Sequence, residues 1–264
     1  MSFRILLTND DGIYAEGIGA LALKINELIG DKVQLDIVAP EQERSAVGHS
    51  ITMHKPLRVK ETTLPKSQLI RGAAVNGSPS DCVKLAVEAL LEKKPDLVVS
   101  GINRGSNLGT DVFYSGTVAA AVEGIILGIP SIAVSLASFE DNSFDFAAEL
   151  TCKIISQLIT EPLTKETILN INVPAIQPEL IKGLKATAMG SRRYQNAFRR
   201  RKDPRGRSYY WLAGDVIEDN NNIDVDVGAV KNGYVSVTPI HLDLTKYKAI
   251  EPLKEFLTKI NHDN

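Results

Sequence analysis

The chain is predicted to be an α/β protein: a mostly parallel sheet between two layers of helices, three αβα layers in all, followed by a C-terminal β-hairpin arm. Three observations predict this. Between Arg4 and Val173, short apolar runs alternate with longer stretches whose apolar residues recur at helical spacing. The leading short run is almost continuously apolar, as in a parallel strand covered on both faces. The runs stop abruptly at polar loops, which is where open α/β sheets bind their ligands.

Arg4–Thr8 (RILLT) reads as the first strand, halted by Asn9-Asp10-Asp11-Gly12. Ile18, Leu21, Ala22, Ile25, Leu28 and Ile29 then mark one face of a helix. Val33–Val38 (VQLDIV) is the next strand, ended by Ala39-Pro40, and closes a βαβ unit with a right-handed crossover. Ser50–Val59 and Ala73–Val75 read as shorter extended pieces. Ser80–Lys93 predicts a helix with Val83, Ala86, Val87, Leu90 and Leu91 inward and Ser80 as N-cap. Asp96–Ser100 (DLVVS) is a strand, followed by Gly101-Ile102-Asn103-Arg104-Gly105. Thr117–Leu127, rich in Ala and Gly, suits a helix packed closely on the sheet; Pro130 breaks it, and Ser131–Ser135 is again a strand. A helix over Phe144–Ile159 and a strand over Ile168–Val173 (ILNINV) follow. Beyond Pro174 the rhythm weakens. There Tyr209–Leu212 predicts an extended aromatic strand, Tyr234–Thr238 another strand, and Ile250–Ile260 a short helix with Pro252 in its first turn.

The composition narrows the function. With 264 residues, 44% of them hydrophobic and 23% charged, the chain can bury a core without a disulfide or metal staple. Lys and Arg number 30 against 32 Asp and Glu, for a net charge of -2, which argues against a protein that coats nucleic acid. Cys82 and Cys152 sit among apolar helical neighbours and read as reduced core fillers. MSFRILLTNDDG turns polar too soon for a signal-peptide core, and no run reaches the roughly 18 apolar residues of a membrane span. A cytoplasmic protein without a membrane partner is expected.

Three loops at predicted strand ends or helix starts carry the unusual chemistry. Adjacent Asp10 and Asp11 repel if both face one cleft, and a hard divalent cation relieves that repulsion. A turn at Gly12 lets both aim at one ion, with Asn103 as a neutral oxygen ligand from the neighbouring loop. So few protein ligands leave waters on the ion, as Mg2+ and Mn2+ prefer. Ser115-Gly116-Thr117 offers hydroxyls and unpaired amides at a helix start, a seat for phosphate, and Asn107 upstream is placed to orient a phosphoryl oxygen. With an adjacent cation this suits phosphate-ester hydrolysis: the metal binds phosphate oxygen and helps generate hydroxide from water, while amides stabilise the transferring group. The plainer alternative makes Asp10 and Asp11 a solvated turn and Ser115 and Thr117 ordinary caps.

Rival chemistries lack their signatures. The first strand is not followed by GxGxxG, and GxxxxGK[ST], GxSxG and HExxH are absent. His49, His54, His241 and His262 show no paired zinc spacing. An aspartyl nucleophile normally works with a second acid two positions on, whereas Asp10 and Asp11 are adjacent, so water is the expected nucleophile. Glu41–Ser50 is a long polar turn that reads either as plain surface charge at Glu41, Glu43 and Arg44 or as a loop whose Ser45 and flexible Gly48 let it fold over the metal site.

These segments together resemble the stationary-phase survival protein E family, the SurE-type 5'/3'-nucleotidases. Thr8–Ile13 (TNDDGI), Ala39–Thr52 (APEQERSAVGHSIT), Gly77–Ala86 (GSPSDCVKLA) and Val99–Gly124 (VSGINRGSNLGTDVFYSGTVAAAVEG) carry the likeness. It continues through Leu169–Pro174 (LNINVP) and Gly233–His241 (GYVSVTPIH). The resemblance implies a metal-dependent phosphatase for nucleoside 5'- and 3'-monophosphates, with short polyphosphate as a further substrate. It implies a Rossmann-like catalytic domain over residues 1–180 and a hairpin-rich oligomerisation region with a terminal helix over 181–264, in homodimers or homotetramers. It maps one divalent cation per subunit, Mg2+ or Mn2+, onto Asp10, Asp11, Ser45 and Asn103, and phosphate onto Asn107, Ser115, Gly116 and Thr117. Asp10, Asp11 and Asn103 are thus the expected catalytic residues. Ser78 retains a hydroxyl where many members read GTPAD. Tyr114 stands where other members carry histidine, a departure that leaves the general acid unassigned.

Arg192–Arg207 holds Arg192, Arg193, Arg199, Arg200 and Arg201 among its basic residues, and Glu218–Asp226 brings Glu218, Asp219, Asp224 and Asp226. The basic run is expected to attract anionic substrate or to meet the acidic run of a neighbouring subunit, with plain solvated hairpins as the alternative. Specific nucleic-acid reading is not expected, since no recognition-helix pattern accompanies the charges. Two rivals to the nucleotidase stand: an exopolyphosphatase or broad-specificity phosphatase, and a non-catalytic nucleotide-binding protein.

Overall fold

The computed structural model describes residues 2–65, 67–140, 143–164, 166–218 and 221–262. Its first strand, β1 (Phe3–Thr8), is buried from Ile5 onward and runs parallel to β2 (Val33–Pro40) on one side and β5 (Leu97–Arg104) on the other. β2 leads outward to the parallel β4 (Ser67–Val75), edged by the antiparallel β3 (Val59–Leu64). β5 leads the other way to β6 (Ser131–Leu136) and β7 (Ile168–Val173), both parallel. The sheet is completed by β13 (Val235–Ile240), antiparallel to β7, and β8 (Leu184–Ala186). The order is β3-β4-β2-β1-β5-β6-β7-β13-β8. Winding therefore reverses between β1 and β5, and the crevice beyond their carboxyl ends is where such a sheet takes a ligand.

Strand alternation sends Ile5 and Leu7 to one face and Leu6 to the other. On the first face, α1 (Glu16–Ile29) and α4 (Asp145–Thr160) cover the sheet through Ile18, Leu21, Ile25, Ala148 and Ile155. On the second, α2 (Pro79–Leu85) and α3 (Gly116–Ile126) cover it, with Val83 and Ala120 against Leu6 and Val98. The three αβα layers are those the alternation of periods predicts. Each fully buried Leu or Ile contributes about 1.5–3 kcal/mol relative to exposure, so this double-sided burial is the main stabilising term. Cys82 and Cys152 are buried and unbridged, and burial pushes both thiols up, Cys152 to about 11.

Several local expectations need correction. No strand spans Ser50–Val59: residues 50–58 form a loop, and β3 begins at Val59. Pro56 cannot donate to a ladder, and β3 itself (VKETTL) is a polar edge strand with little apolar signal. The expected Ala73–Val75 piece is the end of the longer β4. The helix expected over Ser80–Lys93 is α2 followed by a single π turn, Ala86–Leu90. Its N-cap is Ser78, not Ser80, because Pro79 suits the first helical position and Asp81 closes a capping box with Ser78.

Two strands of the main sheet, β8 and β13, come from beyond residue 180, so the sheet runs across that position. Between them the chain builds an arm. β9 (Arg192–Gln195) pairs with β12 (Asp215–Glu218), and nested inside them β10 (Phe198–Lys202) pairs with β11 (Ser208–Leu212). Every residue of β10 and β11 is exposed, Trp211 and Leu212 included. The short helix α5 (Asp226–Lys231) returns the chain to the sheet, and α6 (Ile250–His262) ends it with Leu253, Phe256 and Leu257 exposed.

Candidate active site

β1 ends at Thr8 and delivers Asn9, Asp10 and Asp11 to the crevice at the winding reversal. Gly12 turns the chain at φ 98°, a conformation open to glycine, and the 41–45 segment packs directly against it. Asn9 is fully buried and stiffens the turn by donating to Gly12 O at 2.9 Å. Its Oδ1 and the neighbouring Thr8 Oγ1 are buried without a hydrogen-bond partner.

Asp10 is 4% exposed and meets the first turn of α3. Thr117 Oγ1 donates to Asp10 Oδ1 at 2.5 Å. Gly116 lies so close that a Cβ on it would stand 2.7 Å from Asp10 Cβ and 2.8 Å from Oδ2. Burial pushes the Asp10 carboxyl up to about 6, against the Thr117 hydrogen bond that lowers it, and the Asp11 charge raises it further. Asp11 is partly buried and is also raised, chiefly by burial, although the Arg104 amide donates to its Oδ2 at 3.1 Å. Both carboxyls stay raised despite the Thr117 hydrogen bond and the nearby Arg104 charge, an arrangement that a cation would relieve.

Asn103 arrives on β5 past a register shift between Ser100 and Asn103. Gly17 at the start of α1 packs on Ile102 O so closely that no side chain fits there. Asn103 Nδ2 donates to Gly105 O at 2.7 Å, which turns the amide oxygen into the free acceptor. Ser45 sits on the exposed 41–50 segment, which is tied to the site by Arg44 N donating to Asp10 O at 2.7 Å and Gly48 N to Tyr114 O at 3.0 Å. Its hydroxyl donates to Glu43 Oε1 at 2.7 Å. Ser115 is the N-cap of α3, accepting from Val118 N at 3.1 Å. Asn107 is fixed from three sides: its amide donates to Asn172 Oδ1 at 2.8 Å, its Nδ2 to Ser135 Oγ at 2.7 Å, and its carbonyl accepts from Asn170 Nδ2 at 2.8 Å.

Asp10, Gly116 and Thr117 are thus in direct contact, and the ties of the 41–50 segment to Asp10 and Tyr114 join it to the same crevice. Thr117 turns its hydroxyl to Asp10 rather than outward. The arginines divide. Arg192 joins the body, pairing with Asp111 at 2.9 Å, while Tyr194 donates to the same carboxylate at 2.7 Å. Arg193 is exposed on β9, and Arg199, Arg200 and Arg201 stand on the exposed β10, with Arg200 bonded to Ser208 at 2.7 Å. All four stand on the arm rather than on the elements that carry Asp10, Asn103 and Ser115. The acidic run divides as well. Asp224 pairs with Lys185, and Asp226 is fully buried, accepting from Gly109 N at 2.8 Å and Gly190 N at 2.9 Å. Asp219 lies outside the described residues.

Asn9, Asn170, Asn172 and Asp226 escaped sequence reasoning. A signal existed for the β7 pair: two asparagines spaced by two in an otherwise apolar strand must point to one face, and a buried amide needs partners. Asp226 carried none, because a buried acid and a surface acid look alike in an acidic run.

The donors fit a hard cation. Among the described residues no three His, Cys, Asp or Glu side chains group closely enough to hold a metal by themselves. Two carboxylates with neutral hydroxyl and amide oxygens would suit a hard divalent cation, with water completing the shell. Among the described residues no helix is long and apolar enough to cross a membrane.

Comparison with known proteins bears on this geometry. The family model described as Survival protein SurE matches residues 5–196. A 5'-nucleotidase SurE of Pelotomaculum thermopropionicum is 56% identical over 255 residues, covering 96% of this chain and 95% of that one. The 5'-nucleotidase SurE of Carboxydothermus hydrogenoformans is 52% identical over 256 residues, covering 96% of both. The crystal structure of the SurE protein from Aquifex aeolicus superposes with a TM-score of 0.82 at 42% identity, covering 96% of this chain and 99% of that one.

Proposed function

Because the chain belongs to the Survival protein SurE family, we propose that it is a metal-dependent 5'-nucleotidase that hydrolyses nucleoside 5'- and 3'-monophosphates to nucleoside and phosphate. The observation that carries this reading is the packing of the α3 N-terminus on Asp10. It joins the acidic turn and the phosphate seat into one site at the winding reversal of the sheet.

Asp10, Asp11, the Ser45 hydroxyl and the Asn103 amide oxygen would hold one divalent cation, Mg2+ or Mn2+. When bound, that ion supplies Lewis-acid charge to the phosphoryl group and lowers the pKa of water. The remaining work belongs to the chain. The Gly116 amide, at the positive end of α3, would face an incoming phosphate, while the Thr117 and Val118 amides are turned to Asp10 and to Ser115 Oγ. Ser115 keeps its O–H free to donate, since its oxygen is the cap acceptor. Asn107, held by Asn170, Asn172 and Ser135, would offer a preorganised side-chain amide to a phosphoryl oxygen. Asp10 is confined between Gly116 and Thr117, which favours water over this carboxylate as the nucleophile.

We also infer that the chain acts as a homodimer or homotetramer assembled through the 181–264 region. Exposed Phe198, Trp211, Leu212, Phe256 and Leu257 support this, since such apolar surface is typical of subunit contacts. The exposed arginines of β10 are then available to a neighbouring subunit's substrate.

The test is phosphate release from 5'-AMP in EDTA, Mg2+ or Mn2+, beside the Asp10→Asn variant. Metal-dependent release that disappears in a folded variant is the expected result. Wild-type protein inactive with both ions refutes the proposal. Rates on 3'-AMP, short polyphosphate and an aryl phosphate separate the nucleotidase from a broad phosphatase: equal rates on all four would favour the latter.

A further inference from the structure

α3 is an apolar helix, GTVAAAVEGII, and its one charged residue is buried. Glu123 is 3% exposed, and a carboxylate withdrawn from water to that degree is costly unless it is paired. Both of its oxygens are engaged. Oε2 stands 2.8 Å from His49 Nε2, and Oε1 is 3.4 Å from Lys84 Nζ on α2. His49 lies at the far end of the segment that carries Ser45.

That segment follows an unusual course. Ala46 has φ 54° and Gly48 φ 56°, both left-handed. For Ala46 this conformation is strained and persists only where the surroundings over-determine it. The restraints are visible on both sides. Arg44 N donates to Asp10 O before it, and Gly48 N donates to Tyr114 O after it. Arg44 Nη2 also donates to Asn76 O at 3.3 Å before the left-handed stretch, and His49 on Glu123 ties it down after Gly48 through a contact between two side chains. α3 thus presents Gly116 and Thr117 to Asp10 at its first turn, and Glu123 to the Ser45 segment two turns later.

We propose that His49 and Glu123 are a positioning pair that holds the left-handed segment, and with it Ser45, beside the acidic turn to which the Arg44 amide is tied, so that the pair sets the affinity of the site for its divalent cation. Neither residue touches the ion. This proposal rests on the reading above that Ser45 belongs to the cation's ligand set. Its physical basis is general: partners that orient a ligand typically change metal affinity by about 10–100-fold when removed.

The experiment is Mn2+ binding to the full chain by calorimetry, for wild type, His49→Ala, Glu123→Ala, the double variant and Lys84→Met, with folding checked by circular dichroism. His49→Ala should weaken Mn2+ binding about tenfold. The double variant should be no weaker than His49→Ala, because the two residues act through one contact. Lys84→Met removes the other partner of Glu123 without touching the segment and should bind Mn2+ as wild type does. At saturating Mn2+, the His49→Ala protein should recover the wild-type kcat for 5'-AMP. If Glu123→Ala fails to fold, His49→Ala against Lys84→Met still decides. Wild-type Mn2+ affinity in His49→Ala overturns the proposal, as does equal weakening in Lys84→Met. A wild-type chain that binds no Mn2+ overturns it together with the nucleotidase reading. A wild type that binds Mn2+ and hydrolyses 5'-AMP while His49→Ala binds equally well overturns the positioning pair alone.

Discussion

Gly116→Ala is the most direct test of how α3 and the acidic turn share space. The added methyl would stand 2.7 Å from Asp10 Cβ, 2.8 Å from Oδ2 and 3.1 Å from Cγ. Restoring ordinary contact requires a shift of about 0.7 Å, in a core that resists overpacking. Asp10 cannot simply swing aside, because Thr117 holds its Oδ1 and Arg44 N holds its carbonyl. Overpacking of this kind costs about 1–3 kcal/mol, and the Gly-to-Ala gain within a helix returns about 0.5–1 kcal/mol. The net cost of about 0–2.5 kcal/mol should therefore lower the melting temperature by no more than about 10 °C for a chain of this size. Activity should fall much further. A misplacement approaching 1 Å costs about 100-fold, so phosphate release from 5'-AMP should drop by roughly 10- to 100-fold in a protein that remains folded. Gly19→Ala is the matched control: a Cβ there meets nothing within 4 Å, so the variant should be slightly more stable and fully active. Wild-type turnover and Mn2+ affinity in Gly116→Ala would refute the claim that the α3 N-terminus bears on Asp10 in the working enzyme.

Three further outcomes follow from the same geometry. Thr117→Val, which keeps shape but removes the hydroxyl on a buried carboxylate, should cost about 1.5–3 kcal/mol by denaturant titration, whereas Thr117→Ser should cost much less. Asp81 is pushed up by burial but lowered more by Thr52 and Ser78, which donate to it at 2.6–2.9 Å, so its carboxyl lies below the usual range. Its stabilisation is present above the unfolded carboxyl pKa and lost as pH falls through the depressed folded value. Asp81→Asn should thus be less stable by about 1–3 kcal/mol at pH 7, with the gap to wild type closing below about pH 4 in pH-dependent melts. Phe256→Glu, on the exposed apolar face of α6, should shift the molar mass measured by light scattering toward the monomer, and an unchanged mass would remove α6 from the subunit contact.

What could be read along the chain follows the range of the forces involved. RILLT, VQLDIV, DLVVS, SIAVS and ILNINV announced buried strands because burial on both faces demands an apolar side chain at nearly every position. The polar edge strand β3 has one solvated side and announced nothing. Ser80 was misread as the cap since any Ser before an apolar run satisfies the local rule, while Pro79 and Asp81 select Ser78 through geometry one residue earlier. At the site, Asp10, Asp11 and Asn103 stood out because two adjacent acids and a Gly-flanked asparagine at strand ends are rare without a ligand.

The sequence by itself determined the α/β class and the family, for the first depends on short-range period and the second on residue identity. Only the tertiary structure decided that Thr117 faces Asp10 and that Asp226 is a buried clamp on Gly109 and Gly190. It alone decided that His49 reaches Glu123 across 74 residues, and that Arg192 docks on the body while Arg199–Arg201 stand on an exposed arm. Those facts depend on strand order. The winding reversal between β1 and β5 brings segments about 100 residues apart into contact, and a local pattern holds no record of which loops will become neighbours.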